Sequence, residues 1–339
     1  MKSWTLIQHG HKASECFQMR EQDGPALSAG QVRIQVSHSG INFADILSMY
    51  GKYGGAPKLP YTPGYEVVGR IVEIGSAVHD IAIGTRVLAF TRFGGYASEV
   101  VVNTQQCVPI PEEWDGAMAT ALATQYATAW YMIQDMAFIR PGDRVLVPAA
   151  AGGVGQALMD MVTFRGGDAV GIVSRETSRL FLQERGHSQV IQVSHGAWWR
   201  LKDLGSFKVI FDASGGISIR EAWKHLVPGG KLIAYGASSR VGSWGILRDL
   251  KLVFGFGIVF PLQKLIDSQS FMGVNMLVVA DERPDVLQSL LREVTMLIKD
   301  GLLPFPSARS FPVNRLEEAY KSILDRQHQG KLALVWDED

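Results

Sequence analysis

The sequence predicts an α/β protein built as a β-rich N-terminal domain followed by a doubly wound parallel sheet. Three observations predict this. The first 115 residues carry short alternating apolar runs punctuated by glycine. Arg144-Val-Leu-Val-Pro-Ala-Ala-Ala-Gly-Gly-Val-Gly155 passes from an apolar strand through a glycine turn straight into a helical pattern. Further apolar runs then come at the spacing of strand-helix-strand units.

Met1 to Gly10 lacks the sustained apolar core of a secretion signal and reads as a first strand. Val32, Ile34 and Val36 alternate, Val68, Ile71 and Val72 do so more loosely, and Val87–Phe90 and Ala97–Val102 come next, with Gly40, Gly64, Gly69, Gly75, Gly84 and Gly94-Gly95 between them. From Asp115 to Phe138, Ala, Met, Thr and aromatic residues run without Pro and, after Gly116, without Gly, so this stretch reads as a connecting helix. Pro141-Gly142-Asp143 launches the strand Val145–Val147; Val154, Leu158, Met161 and Val162 mark the helix after it. The next strands are expected at Ala169–Val173, Gln189–Val193, Val209–Asp212 and Lys231–Tyr235, with Phe271–Met276 as the edge strand. Arg283–Leu297 and Leu316–Leu324 read as helices, and Ala308–Val313 and Leu332–Trp336 as short strands returning to the first domain. The expected domains are 1–116, 117–278 and a returning tail, 279–339.

The glycine turn reads as a dinucleotide cradle. Gly152, Gly153 and Gly155 let the backbone turn sharply and approach a pyrophosphate, whose charge suits the orphan N–H groups and dipole of a helix N-terminus. Ala149, Ala150 and Val154 complete the turn, and Ala150 makes the fingerprint A-x-G-x-x-G rather than G-x-G-x-x-G. A purely structural glycine turn fits the same residues, but the alternating strands favour a nucleotide sheet. About twenty residues on, NAD sites place an Asp or Glu for the ribose. This chain has Ser174 and Arg175, with Arg179 one turn later. A hydroxyl and guanidinium groups would bind a 2′-phosphate that a carboxylate would repel, so the expected cofactor is NADPH. Arg175 and Arg179 also fit an ordinary solvated surface.

Composition excludes several classes. Lys plus Arg balances Asp plus Glu at 33 each, leaving no basic field for nucleic acid, and the neutral balance permits self-association. The two cysteines, Cys16 and Cys107, have neither disulfide-framework nor zinc spacing, so a reducing cytoplasmic location is expected. Leu252–Leu262 is the longest apolar run, roughly half of a bilayer-spanning helix. It fits core or subunit interface, a substrate-pocket wall, or a surface meeting a membrane or partner.

Domain order together with Gly40-Ile-Asn-Phe-Ala-Asp45, Pro60-Tyr-Thr-Pro-Gly-Tyr-Glu66, Ala149–Gly155 and Val227-Pro-Gly-Gly230 resembles the medium-chain dehydrogenase/reductase superfamily, specifically its quinone oxidoreductases. The segment after Gly236, with Arg248 to Phe271, is similar to the vesicle amine transport protein branch. The resemblance covers nearly the whole chain and implies a GroES-like substrate domain, a Rossmann NADP(H)-binding domain and a C-terminal return. Zinc enzymes of the superfamily carry Cys at the place of Asn42 and His at that of Tyr65; both ligands are missing, Glu66 alone cannot hold a catalytic zinc, and no metal is expected.

The chemistry that this resemblance implies is hydride transfer from NADPH to a small hydrophobic acceptor activated by its own conjugation, a quinone or an α,β-unsaturated carbonyl (enone). By resemblance Asn42 lies beside the nicotinamide and positions the substrate. Tyr53 fits a donor to the substrate oxygen and equally a packed aromatic; Asp45 fits a structural or orienting group better than an acid. Cofactor contacts carried over by position are Thr128, Gly236 and Arg326, whereas Ser178 and Val193 replace the family's Lys and Tyr around the 2′-phosphate. A homodimer formed through the edge strand near Val274 is expected. The competing expectation is a nucleotide-binding scaffold, little catalytic, that associates weakly with membrane or lipid through Leu252–Leu262.

Overall fold

The structure, a computed structural model, describes residues 1–194, 197–201, 203–236, 261–325 and 328–336. The expected Leu252–Leu262 surface lies largely outside the described residues, as do Arg248 and Arg326. The chain divides into two compact units, Met1–Ala127 with Met276–Asp339, and Thr128–Asn275.

The first unit supplies β1 (Lys2–Leu6), β2 (Phe17–Glu21), β3 (Gln31–Ile41), β4 (Glu66–Ile74), β5 (Arg86–Phe90), β6 (Glu99–Asn103) and β7 (Cys107–Pro109). The second supplies β8 (Arg144–Pro148), β9 (Asp168–Val173), β10 (Val190–Gln192), β11 (Phe207–Asp212), β12 (Leu226–Ala234) and β13 (Ser270–Gly273). The tail adds β14 (Ala308–Pro312) and β15 (Lys331–Val335) to the first unit.

Alternation in β3 does what period-two patterning dictates: Val32, Ile34 and Val36 turn inward onto Val67, Ile71, Val87, Ala89, Val100 and Val102. The main sheet runs β14-β15-β3-β4-β5-β7, with β6 also paired to β3. β15 joins antiparallel to β3, Leu332 facing Ile41 and Ala333 facing Gly40. The returning tail is therefore an internal strand of the first unit.

The second unit is a six-stranded sheet in the order β10-β9-β8-β11-β12-β13, with every neighbouring pair parallel. That is the order 3-2-1-4-5-6 of a dinucleotide sheet, whose ligands bind at the carboxyl ends of the strands where the order reverses. Val145, Leu146 and Val147 are fully buried, as strands covered on both faces require. Leu146, Val170, Ile172, Phe207, Ile210 and Leu232 form the core with Trp198, and Val193 packs against it.

One element differs from the reading of its composition. The Asp115–Phe138 run is broken: helix Gly116–Ala121 passes into a wider π-helical turn at Leu122–Tyr126, and helix Ala127–Tyr131 into another at Met132–Ala137. Wide turns leave no signature in apolar spacing, and they often mark functional sites. Here the first turn carries Thr124, which bonds a buried carboxylate of the first unit.

Candidate active site

In the second unit the turn between β8 and helix Gly153–Phe164 is held at several points. Ala150 N donates to Ile172 O on the neighbouring strand at 3.0 Å, and Gly152 N donates to Ala149 O at 2.9 Å. Ala149 sits at φ 56°, a left-handed conformation that costs a non-glycine residue about 1 kcal/mol. Gly152 is the N-cap and has no side chain to satisfy the first-turn amides, an arrangement that suits an anion at the helix N-terminus. Gly155 is obligatory: a Cβ there would press on Ala149 O and stand 2.8 Å from Ala150 Cα. Gly152 is looser, its nearest neighbour being Ala149 O at 3.3 Å.

Ser174 and Arg175 lie half-buried just beyond β9, the strand beside β8, and Arg175 is the N-cap of helix Glu176–Glu184. Arg179 is on that helix, but its guanidinium is engaged: Nε donates to Glu176 at 2.8 Å and Nη1 to Gln183 at 3.0 Å. The Glu176 carboxyl is held below its usual range by that hydrogen bond. Gly236 follows β12, where a Cβ would come within 2.7 Å of Ala213 O. Thr128 is buried on the helix that opens this unit. Ala149, Gly152, Gly153, Val154, Gly155, Ser174, Arg175 and Gly236 thus follow the carboxyl ends of three strands of one sheet.

In the first unit Asn42 caps helix Phe43–Met49, and Asp45 accepts from Asn42 N at 2.8 Å through its own carboxylate. Gly64 N also points to Asp45, at 3.3 Å. Asp45 is fully buried, and burial, aided by the charge of Glu66, pushes its carboxyl up to about 7 against the pull of the Asn42 amide. This is a helix-anchoring geometry. Tyr53, half-buried, meets the edge of Tyr65 with ring centroids 6.1 Å apart. Burial raises both phenols above their ordinary value, so both remain hydroxyl donors at neutral pH.

The amide of Asn42 enters a buried network that sequence reasoning missed. Its Nδ2 donates to Glu66 Oε1 at 2.7 Å, and its Oδ1 accepts from Lys331 Nζ at 2.9 Å. Lys331 also bonds Glu66 Oε1, both side chains being fully buried, while Thr124 Oγ1 donates to Glu66 Oε2. The cluster joins the end of β3, the start of β4, the start of β15 and the wide turn at Leu122–Tyr126. A signal existed: Lys331 is a lone charge opening the apolar strand Leu332-Ala-Leu-Val335, and buried lysines almost always have a partner. Among the described residues, no three His, Cys, Asp or Glu side chains converge as a metal site. No described helix is long and apolar enough to cross a membrane.

Residues 28–112 match the alcohol dehydrogenase GroES-like domain family, and residues 185–334 the zinc-binding dehydrogenase family. The chain is 32% identical to a quinone oxidoreductase-like protein 2 homolog of Nematostella vectensis, covering 91% of this chain and 82% of that one. It is 29% identical to the synaptic vesicle membrane protein VAT-1 homolog of Mus musculus, over 94% of this chain and 80% of the relative. A mycobacterial protein solved in complex with NADPH superposes with a TM-score of 0.84 at 21% identity, covering 99% of this chain and 100% of that one. The two-unit fold, the glycine turn on a 3-2-1-4-5-6 sheet and these relatives together place the chain in the quinone oxidoreductase family of the medium-chain dehydrogenase/reductase superfamily.

Proposed function

We propose that the protein is a zinc-independent, NADPH-dependent reductase that delivers hydride to a quinone or an α,β-unsaturated carbonyl. The observation that carries this reading is the buried Asn42–Glu66–Lys331 network. Where zinc-dependent relatives use thiolate and imidazole, this chain offers an amide and a phenol. The nearby carboxylate is already neutralised by an ammonium, which would repel a second cation. A site without a Lewis acid favours an acceptor already activated by conjugation, and quinones and enones are such acceptors.

The residues of the second unit fit a phosphorylated dinucleotide. Gly152, Gly153, Val154 and Gly155 would hold the pyrophosphate on backbone amides, and Ser174 with Arg175 would take the 2′-phosphate. NADPH, when bound, supplies the hydride. The Asn42 Nδ2–H would donate to the substrate oxygen, where negative charge develops as the acceptor is reduced, and its fixed orientation avoids reorganisation at that moment. Tyr53, kept protonated by burial, would supply a second hydrogen bond or the proton that completes reduction. Asp45 holds the helix that carries Asn42. A homodimer through edge strand β13 belongs to the same reading, supported by the exposure of Phe271 on it and of Leu265 and Ile266 on the preceding helix Pro261–Asp267.

The test is steady-state oxidation of NADPH against a panel of quinones and enones. Turnover with at least one conjugated acceptor, and none with simple alcohols plus NADP⁺, is the expected result. A protein that binds NADPH yet turns over no member of the panel would overturn it.

A further inference from the structure

We infer that Lys331 is a positioning residue of the acceptor site, fixing the side-chain amide of Asn42 from the far end of the chain. The consequence for catalysis rests on the reductase reading, but the geometry stands on its own. An asparagine amide has two planar orientations that exchange donor for acceptor. Here both ends are specified by charge. An ammonium can only donate, so the end at 2.9 Å from Lys331 Nζ must be Oδ1; a carboxylate accepts, so the end at 2.7 Å from Glu66 must be Nδ2. With one Nδ2 proton given to Glu66, the second is the amide's remaining donor, and its direction is set by the other bonds.

The backbone is shaped to hold this arrangement. β15 enters the sheet beside β3 with Leu332 opposite Ile41, so Lys331 falls beside Asn42 in register. Gly40 leaves room for the pair, since a Cβ there would lie 2.7 Å from both Glu66 Cδ and Lys331 Cε. Thr124 secures the second oxygen of Glu66 from the wide turn, so the carboxylate is bonded at both oxygens. Lys331 is fully buried and two of its three N–H donors go to Asn42 and Glu66, so its hold on the acceptor site runs through the Asn42 amide.

Removing Lys331 alone would strand a buried carboxylate, so the test changes the pair to Glu66→Gln/Lys331→Met, which keeps the site neutral and near its original volume. Four chains are compared: wild type, this neutral pair, Asn42→Ala, and the triple variant. With saturating quinone the neutral pair should lose on the order of 30-fold in kcat, with the Kd for NADPH within twofold of wild type. In the Asn42→Ala background the same two changes should cost less than a further threefold. A neutral pair that keeps kcat within threefold, or losses that multiply, would show a structural cation and overturn the inference.

A second measurement needs neither turnover nor a folded variant of the pair. The chain has only four asparagines, Asn42, Asn103, Asn275 and Asn314, so ¹⁵N-asparagine labelling gives four side-chain amide pairs, with Asn42 assigned by its loss in Asn42→Ala. One Asn42 Nδ2 proton should exchange with solvent at least ~100-fold more slowly than the exposed asparagines. Rates equal to theirs would mean that the amide is not fixed. Wild type inactive on every acceptor but with a protected Asn42 amide would remove the reductase reading and leave the Asn42–Glu66–Lys331 geometry standing.

Discussion

Changing Gly155 to Ala should abolish tight NADPH binding, and the size of the effect can be worked from the turn itself. The new Cβ would stand 2.8 Å from Ala150 Cα, whereas ordinary contact begins about 0.6 Å farther out, and it would also press on Ala149 O. Neither atom can easily give way. Ala149 O accepts from Gly152 N at 2.9 Å, Ala150 N donates to Ile172 O at 3.0 Å, and Ala149 already sits at φ 56°. The displacement therefore passes into the first turn of helix Gly153–Phe164, whose amides are proposed to hold the phosphate. Losing one or two hydrogen bonds to a charged group, at ~1.5–3 kcal/mol each, weakens binding by about 1.5–6 kcal/mol, which is roughly tenfold or more in Kd. Overpacking should also lower stability by ~1–3 kcal/mol. Gly152→Ala is the control, because its Cβ meets nothing closer than Ala149 O at 3.3 Å. It should leave stability within ~0.5 kcal/mol and raise Kd about tenfold by placing a methyl where the ligand approaches. NADPH fluorescence titration and urea unfolding read both quantities. A folded Gly155→Ala protein that binds NADPH within threefold of wild type would refute the assignment of this turn to phosphate.

Three further outcomes are expected. Buried Asp45 holds its proton up to about pH 7, whereas an unfolded aspartate loses it near ~3.9, so the stability from its neutral form is complete below ~3.9 and is lost as pH rises to about 7. Unfolding free energies measured across pH 4–7 should show this decline, at most ~1.4 kcal/mol per pH unit, and Asp45→Asn should flatten it; equal slopes would contradict the assignment. Arg175→Ala should raise the KM for NADPH about tenfold and leave that for NADH unchanged, while Arg179→Ala, whose guanidinium is held by Glu176 and Gln183, should change either by less than threefold. Equal effects of Arg175→Ala on both cofactors would mean that it does not read the phosphate. Phe271→Glu on the exposed edge strand β13 should convert a dimer to a monomer by light scattering, and an unchanged mass would place the interface elsewhere.

Much of the fold is legible because local patterns and global burial agree. Val145–Val147 is a continuous apolar run, as a strand buried on both faces must be, and the turn after it needs glycine at 155 for steric reasons that spacing alone announces. Leu316–Leu324 forms the helix that its apolar spacing predicts, over the same residues. The wide turns at Leu122–Tyr126 and Met132–Ala137 are not legible, since an unbroken run of helix-forming residues reads the same with or without an extra residue per turn. Asn42 is identified by motif, but its partners are not. Lys331 is 289 positions away in sequence, and no local rule pairs a strand-opening lysine with a particular amide. Arg179 shows the converse: the spacing that recommends it as a phosphate ligand also places it one helical turn from Glu176, and the local ion pair forms.

Direct hydride delivery to a conjugated acceptor is the centre of the proposed chemistry, and isotope transfer tests it most directly. The protein is given NADPH carrying deuterium at both C4 positions, together with an enone accepted in the screen, and the product is analysed by mass spectrometry and NMR. Direct delivery predicts one deuterium per product molecule, bonded to the β-carbon, with the proton at the α-carbon coming from solvent. Reduced product with no deuterium from the cofactor, or both deuteriums retained at C4 of the nucleotide while the acceptor is consumed, would contradict it.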